Sequence, residues 1–137
     1  MFRVLEADSP ISKEDLLQFE EILGKKLPKT MLGFYLQHNG VQPQVRGVHD
    51  DCHLFPFNSF NSLDEIKKSL TWFDDEAVPA GFKGADLLHF AYDPGSGNYA
   101  LSLREEDYGK VYFYVLEETA EVYGQWPSLE DFFEFLC

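Results

Sequence analysis

Apolar residues recur at steps of three and four in four stretches of the chain and at alternate positions in others, which predicts amphipathic helices and a run of strands. The first helical stretch carries Leu16, Phe19, Ile22 and Leu23 on one stripe, follows Ser12 with Asp15 three residues on, and stops at Gly24. A serine hydroxyl accepts from the early helix amides, the acid sits near the positive end of the helix dipole, and glycine takes the left-handed conformation that ends a helix. The second stretch starts at Pro28, which a first turn tolerates because its missing N–H has no partner there; it buries Met31, Phe34 and Tyr35 and ends at Asn39-Gly40. These two helices are expected to form a hairpin. The third stretch stacks Leu63, Ile66, Leu70 and Phe73 behind Ser62, and the fourth stacks Leu129, Phe132, Phe133 and Leu136 behind Ser128. Of the three serine-led starts only the second has Glu, at position 65, as the favoured capping-box partner.

After the third helix the period falls to two. Strands are predicted over 87–92, 99–103 and 111–116, joined by the turn-rich segments 93–97 and 105–109, both of hairpin length and composition. That order predicts an antiparallel meander. Val111-Tyr112-Phe113-Tyr114-Val115 is apolar or aromatic at every position, as in a central strand covered on both faces. A polar loop at 49–53 leads into a further short strand, Leu54-Phe55. The predicted fold class is α+β: a mostly antiparallel sheet with an N-terminal helical hairpin, a middle helix and a C-terminal helix packed against it.

Composition narrows the picture. At 137 residues, 45% of them hydrophobic and 16% aromatic, the chain is long enough for one cored domain over residues 1–137, and it is far too apolar for a disordered acidic tail. Asp and Glu number 24 against 11 Lys and Arg, a net charge of −13. Binding to polyanions is driven by clustered cations that release counterions, so nucleic acid and anionic membrane are excluded as expected partners. A basic protein partner fits, and simple solubility also accounts for an acid excess. Acidic residues appear by Glu6 and Asp8, and no apolar run approaches about 18 residues, so neither a signal peptide nor a membrane span is expected and the location is read as cytoplasmic. Cys52 and Cys137 are too few and too far apart in sequence to suggest a disulfide scaffold.

The residue types that carry chemistry do not assemble into a known pattern. His49-Asp50-Asp51-Cys52-His53 offers metal-ligand types, but five consecutive residues cannot easily turn more than two or three donors onto one ion, and no second cluster closes a tetrahedron. As a nucleophile, Cys52 would need a base such as His89 and an electropositive setting, whereas Asp50 and Asp51 flank it. The segment 93–98 superficially resembles a phosphate or calcium loop, yet it joins two strands and has no following helix or Lys. Lys25, Lys26 and Lys29 read as a solvated helix–helix turn. No catalytic, cofactor-binding or metal-binding residues are assigned, and no enzyme activity is expected. Paired acids for glycoside hydrolysis stay open, because their separation is a three-dimensional quantity.

What remains is an asymmetry. After Arg104 the only basic residue is Lys110, against Glu105, Glu106, Asp107, Glu117, Glu118, Glu121, Glu130, Asp131 and Glu134, with Tyr108, Tyr112, Tyr114, Tyr123 and Trp126 interleaved. Acid together with exposed aromatic rings is what a binder of a basic protein presents. The candidate partner-binding residues are Asp50 and Asp51 ahead of an edge strand, Glu105, Glu106, Asp107 and Tyr108 on a hairpin, Glu117, Glu118 and Glu121 in the following loop, and Tyr123.

The order of short motifs resembles the SUKH superfamily. Leu23-Gly24, Leu27-Pro28, Phe34 and Asn39-Gly40 are similar to its N-terminal signature, Phe60 and Leu63-Asp64-Glu65-Ile66 to its middle-helix entry, and Asp93 with Gly95-Ser96-Gly97-Asn98-Tyr99 and Leu101-Ser102-Leu103 to its Gly-rich hairpin. Lys110-Val111-Tyr112 and the stretch from Ser128-Leu129 to Phe135-Leu136 match its last strand and closing helix; Met31 stands where an aromatic is usual. The superfamily includes fungal cell-wall-synthesis regulators of the Smi/Knr type and many bacterial immunity proteins that bind polymorphic toxins, often nucleases. The resemblance implies an immunity protein that occludes a basic toxin domain or, alternatively, an intracellular scaffold. It transfers no catalytic residues and no interface.

Overall fold

Short-range chemistry sets the helix boundaries. In the computed structural model, which describes residues 2–116 and 120–137, α1 (Lys13–Leu23) opens on a reciprocal capping box: Asp15 N–H donates to Ser12 Oγ (3.2 Å) and Ser12 N–H to Asp15 Oδ2 (2.8 Å). Aspartate therefore completes the box here as well as glutamate does. It closes on Gly24, at φ 69°. α2 (Lys29–Gln37) has Pro28 as its N-cap, one position earlier than a first-turn residue, and buries Met31, Phe34 and Tyr35. α3 (Leu63–Trp72) starts at the Ser62–Glu65 box, and α4 (Leu129–Glu134) starts at Ser128, whose Oγ accepts from Asp131 N–H (3.2 Å).

Nine strands also occur among the described residues. β1 (Arg3–Glu6) pairs with β2 (Gln42–Gln44), and β3 (Val48–His49) with β4 (Leu54–Phe55), each an antiparallel two-stranded ribbon. β5 (Ser59–Phe60), β6 (Leu87–Tyr92), β7 (Gly97–Ser102), β8 (Val111–Leu116) and β9 (Ala120–Trp126) form one antiparallel sheet in chain order, the predicted meander extended by a strand at each side. The fold is α+β.

Both faces of the sheet are covered. One carries an aromatic core in which Phe19, Phe34, Phe60, Phe90, Tyr99, Trp126 and Phe132 are buried under α1, α2 and α4. Phe132 is central, with ring centroids 5.2 Å from Trp126, 5.4 Å from Tyr99 and 5.5 Å from Phe90. On the other face, Leu87, Ala100, Tyr112 and Tyr114 meet Phe73, Val78 and Phe82 from the segment after α3. β8 supplies Val111 and Phe113 to the first face and Tyr112 and Tyr114 to the second, which is why its sequence is apolar throughout.

Several stripe positions fall elsewhere than expected. Ile22 is 65% exposed: α1 turns Leu16 and Phe19 to the core, and Ile22, about 120° from Leu16 around the helix, falls at the solvent edge of the stripe. Leu70 is on the exposed side of α3, and buried Ser69 takes the inner position, its hydroxyl bonded to Ile66 O (2.7 Å). Leu136 lies beyond the end of α4 and forms an isolated bridge with Val48. Asn39-Gly40 does more than stop α2: buried Asn39 accepts from Leu63 N–H (2.9 Å) and donates to Ser9 O (2.8 Å), while Gly40, at φ 62°, takes a conformation that side chains resist.

Candidate functional site

Asp50 sits at the turn between β3 and β4. Its Oδ1 accepts from the backbone N–H groups of Cys52 and His53, both at 2.8 Å, and these bonds hold its pKa below the ordinary carboxylate value. The His53 ring lies 3.8 Å from the same oxygen. A carboxylate locking its own turn leaves Asp51 and Cys52 exposed at the tip.

β9 brings its residues to this turn through a bulge. Phe113 pairs with Gly124 and Tyr114 with Val122, so Tyr123 is the extra residue. The register shift exchanges the faces: Ala120 and Val122 lie on the Tyr112–Tyr114 side, whereas Trp126 joins the Phe132 core. Phe55 of β4 packs over Gly124, where a Cβ would stand 2.8 Å from its ring. Trp126 Nε1–H donates to His49 O (3.0 Å). These contacts pin the β3–β4 ribbon beside β9. Between them runs a groove of about 370 Å³ lined by Asp50, Asp51, Cys52, Val122, Tyr123, Gly124 and Gln125, with Tyr123 52% exposed and its hydroxyl 3.3 Å from Glu121 Oε2. Glu121 is thus a strand residue of β9, not a loop residue as expected, because β9 begins at Ala120.

The second predicted segment is elsewhere. Residues 103–110 connect β7 to β8 at one end of β8, and Glu121 pairs with Val115 toward the other, roughly 15 Å away at the usual rise per strand residue. Glu105 and Glu106 are exposed. Asp107 is turned inward: its carboxylate accepts from Arg104 Nη2 (2.6 Å) and Nε (3.1 Å), from Ser102 Oγ (2.5 Å) and from Tyr112 OH (2.5 Å). Burial on its own raises the Asp107 pKa, but hydrogen bonds from Arg104, Ser102 and Tyr112 outweigh it and hold the carboxyl down at about 2. Tyr108 OH donates to Lys26 O, docking the loop on the turn between α1 and α2. The two grooves here, about 680 and 500 Å³, are lined by Lys25, Lys26, Lys83 and Arg104 as well as Glu105 and Glu106. This end is mixed in charge. Glu117 and Glu118 lie outside the described residues.

The eight candidates among the described residues therefore divide: Asp50, Asp51, Glu121 and Tyr123 come together at the β9 edge, while Glu105, Glu106, Asp107 and Tyr108 gather at the far hairpin. Sequence reasoning missed Gln125 and Val122 of the groove, and the β-branched and aromatic residues Val122, Tyr123 and Trp126 were the signal that could have placed them on a strand. Cys52 and His89 do not meet. Cys52 is on the exposed turn, whereas His89 is buried under Phe73, stacked at 3.7 Å between centroids, with Nε2 2.6 Å from Tyr114 OH. Among the described residues no group of three His, Cys, Asp or Glu side chains is placed to hold a metal ion, and no helix is long and apolar enough to cross a membrane. The segment 93–98 is the β6–β7 hairpin turn, in which Asp93 Oδ1 accepts from Gly95 and Gly97 N–H, both at 2.8 Å.

No curated protein matches the chain. The sequence model of the SMI1 / KNR4 family (SUKH-1) matches residues 10–134, which takes in every helix and every strand of the large sheet. Membership supports an immunity or regulatory protein-binding role. With the serine-capped helices, the five-stranded meander and the closing α4 all inside the matched span, the chain belongs to the SMI1 / KNR4 family (SUKH-1).

Proposed function

We propose that this protein is an immunity protein, which binds a basic toxin domain, of the nuclease type, and neutralises it by covering the active site or substrate path. It acts in the cytoplasm as one unit of residues 1–137, and by binding rather than by catalysis. The observation that carries this reading is the groove at the β9 edge, where Asp50, Asp51 and the half-exposed ring of Tyr123 converge with no Lys or Arg among the lining residues. A nuclease-type domain must attract phosphates, so its active-site cleft is basic, and an acidic rim around an aromatic anchor is complementary to it. Capture of interacting proteins from the native host tests the proposal: one secreted toxin domain, neutralised on co-expression, is the expected result.

A second reading, a regulatory scaffold of the cell-wall-synthesis type, is favoured by the separate mixed-charge grooves around Lys25, Arg104 and Glu105. Two unlike surfaces about one β-strand apart suit a module that engages more than one protein. Recovery of several regulatory proteins and no toxin in the same capture would decide for it.

A further inference from the structure

The two edges of the large sheet differ. β5 is only two residues long, and Phe60 N–H donates to Val41 O (3.0 Å), so neighbouring chain already covers that side. β9 is seven residues long and, among the described residues, has a strand neighbour, β8, on one side only. Open edges offer main-chain donors and acceptors to another strand, and proteins commonly blunt them with lysine or proline. β9 contains neither. Its bulge at Tyr123 interrupts the edge, leaving Gly124–Gln125–Trp126 as a regular stretch next to the groove.

Charge selects the occupant. A second copy of this chain would bring Glu121, Asp50 and Asp51 toward their own equivalents in a molecule of net charge −13, which opposes self-pairing. A segment carrying Lys or Arg is complementary, because its cation can reach the carboxylates at the turn while its stem lies on the Tyr123 ring.

We infer that the β9 edge takes an extended, basic segment of a protein partner by strand addition, with one basic side chain seated between Tyr123 and the Asp50–Asp51 turn. This rests on the protein-binding reading above and adds its mode: main-chain bonds supply affinity and the acidic groove supplies specificity.

The test uses the full chain labelled with nitrogen-15 and a capped heptapeptide alternating lysine and valine, beside the same peptide N-methylated at every backbone nitrogen. The unmodified peptide should shift the amide resonances of residues 121–126 and slow their hydrogen exchange. The methylated peptide has the same charge but no main-chain N–H donors, and should bind at least about tenfold more weakly. Asp50→Asn combined with Asp51→Lys should weaken the unmodified peptide by a similar factor, since Asn keeps the oxygen that locks the turn. Equal binding of the two peptides, shifts confined to other parts of the chain, or no binding by either would overturn the inference. Self-association through β9 in the absence of peptide would overturn it too. The immunity reading fails separately: a chain that neutralises a toxin yet fails the peptide test loses only strand addition, and one that passes it yet captures no toxin loses only the immunity role.

Discussion

A single carboxylate, Asp107, ties together the whole 103–110 connection, because Arg104, Ser102 and Tyr112 all donate to it from different parts of the loop and sheet. Its side chain is 12% exposed, against 70% for Glu106. Asp107→Ala should therefore cost about 2–4 kcal/mol in urea unfolding, while Glu105→Gln and Glu106→Gln stay within about 0.5 kcal/mol. His89 is held neutral where Asp107 is held charged. Burial between Phe73 and Tyr114 lowers its pKa from 6.5 to about 3, so it is neutral in the folded chain over a range where the unfolded chain protonates it. Its contribution is fully present above pH 6.5 and is lost as pH falls toward 3, on the order of a few kcal/mol in all. That of Asp107, whose pKa is lowered, is present above 3.8 and lost as pH falls through about 2. Unfolding measured from pH 8 to 3 should show stability declining from about pH 6.5 downward, and His89→Gln should remove the part of that decline above pH 4. An unchanged slope in the variant would assign the decline to other groups.

At the scale of elements, what was legible in the sequence was what neighbours in the chain decide. Serine caps, Gly24 and the apolar runs of β6 and β8 are local signals, and the helices and the meander followed from them. β9 is not among the strands the pattern predicts, because the bulge at Tyr123 breaks period two: Val122 and Trp126 serve opposite faces although both occupy even positions. β1 and β2 are four and three residues long, and β2 is Gln-Pro-Gln, so their pairing depends on where α2 ends rather than on their own pattern. The charge count after Arg104 located the acids but could not show that Asp107 faces inward, or that Glu105 and Glu106 lie at one end of β8 and Glu121 toward the other. The β6–β7 segment is the hairpin turn that its composition predicts, and the reason glycine stands in it is visible only in three dimensions. A Cβ on Gly97 would stand 2.4 Å from Asp93 Oδ2 and 2.5 Å from the Phe113 ring. Gly97→Ala should cost about 1–3 kcal/mol in thermal or urea unfolding and leave partner affinity unchanged when measured below the transition. Lost affinity with unchanged stability would make the turn a contact site.

For the molecule as a whole, net charge of −13 and a basic partner together predict association faster than uncharged proteins achieve, with a rate that falls as salt rises. The distribution refines this expectation. At the far hairpin Lys25, Lys83 and Arg104 offset Glu105 and Glu106, so reversing those acids should change association little. At the β9 edge no Lys or Arg lines the groove among the described residues, so Asp51 and Glu121 should carry the steering. The most direct measurement is the association rate constant between this protein and the proposed toxin partner, by stopped flow at low and high salt, for the native chain and for Asp51→Lys with Glu121→Lys. The account predicts that the double variant associates at least about tenfold more slowly at low salt and loses most of the salt dependence. A variant that associates at the native rate, with the native dependence on salt, would contradict it and put the partner on another surface.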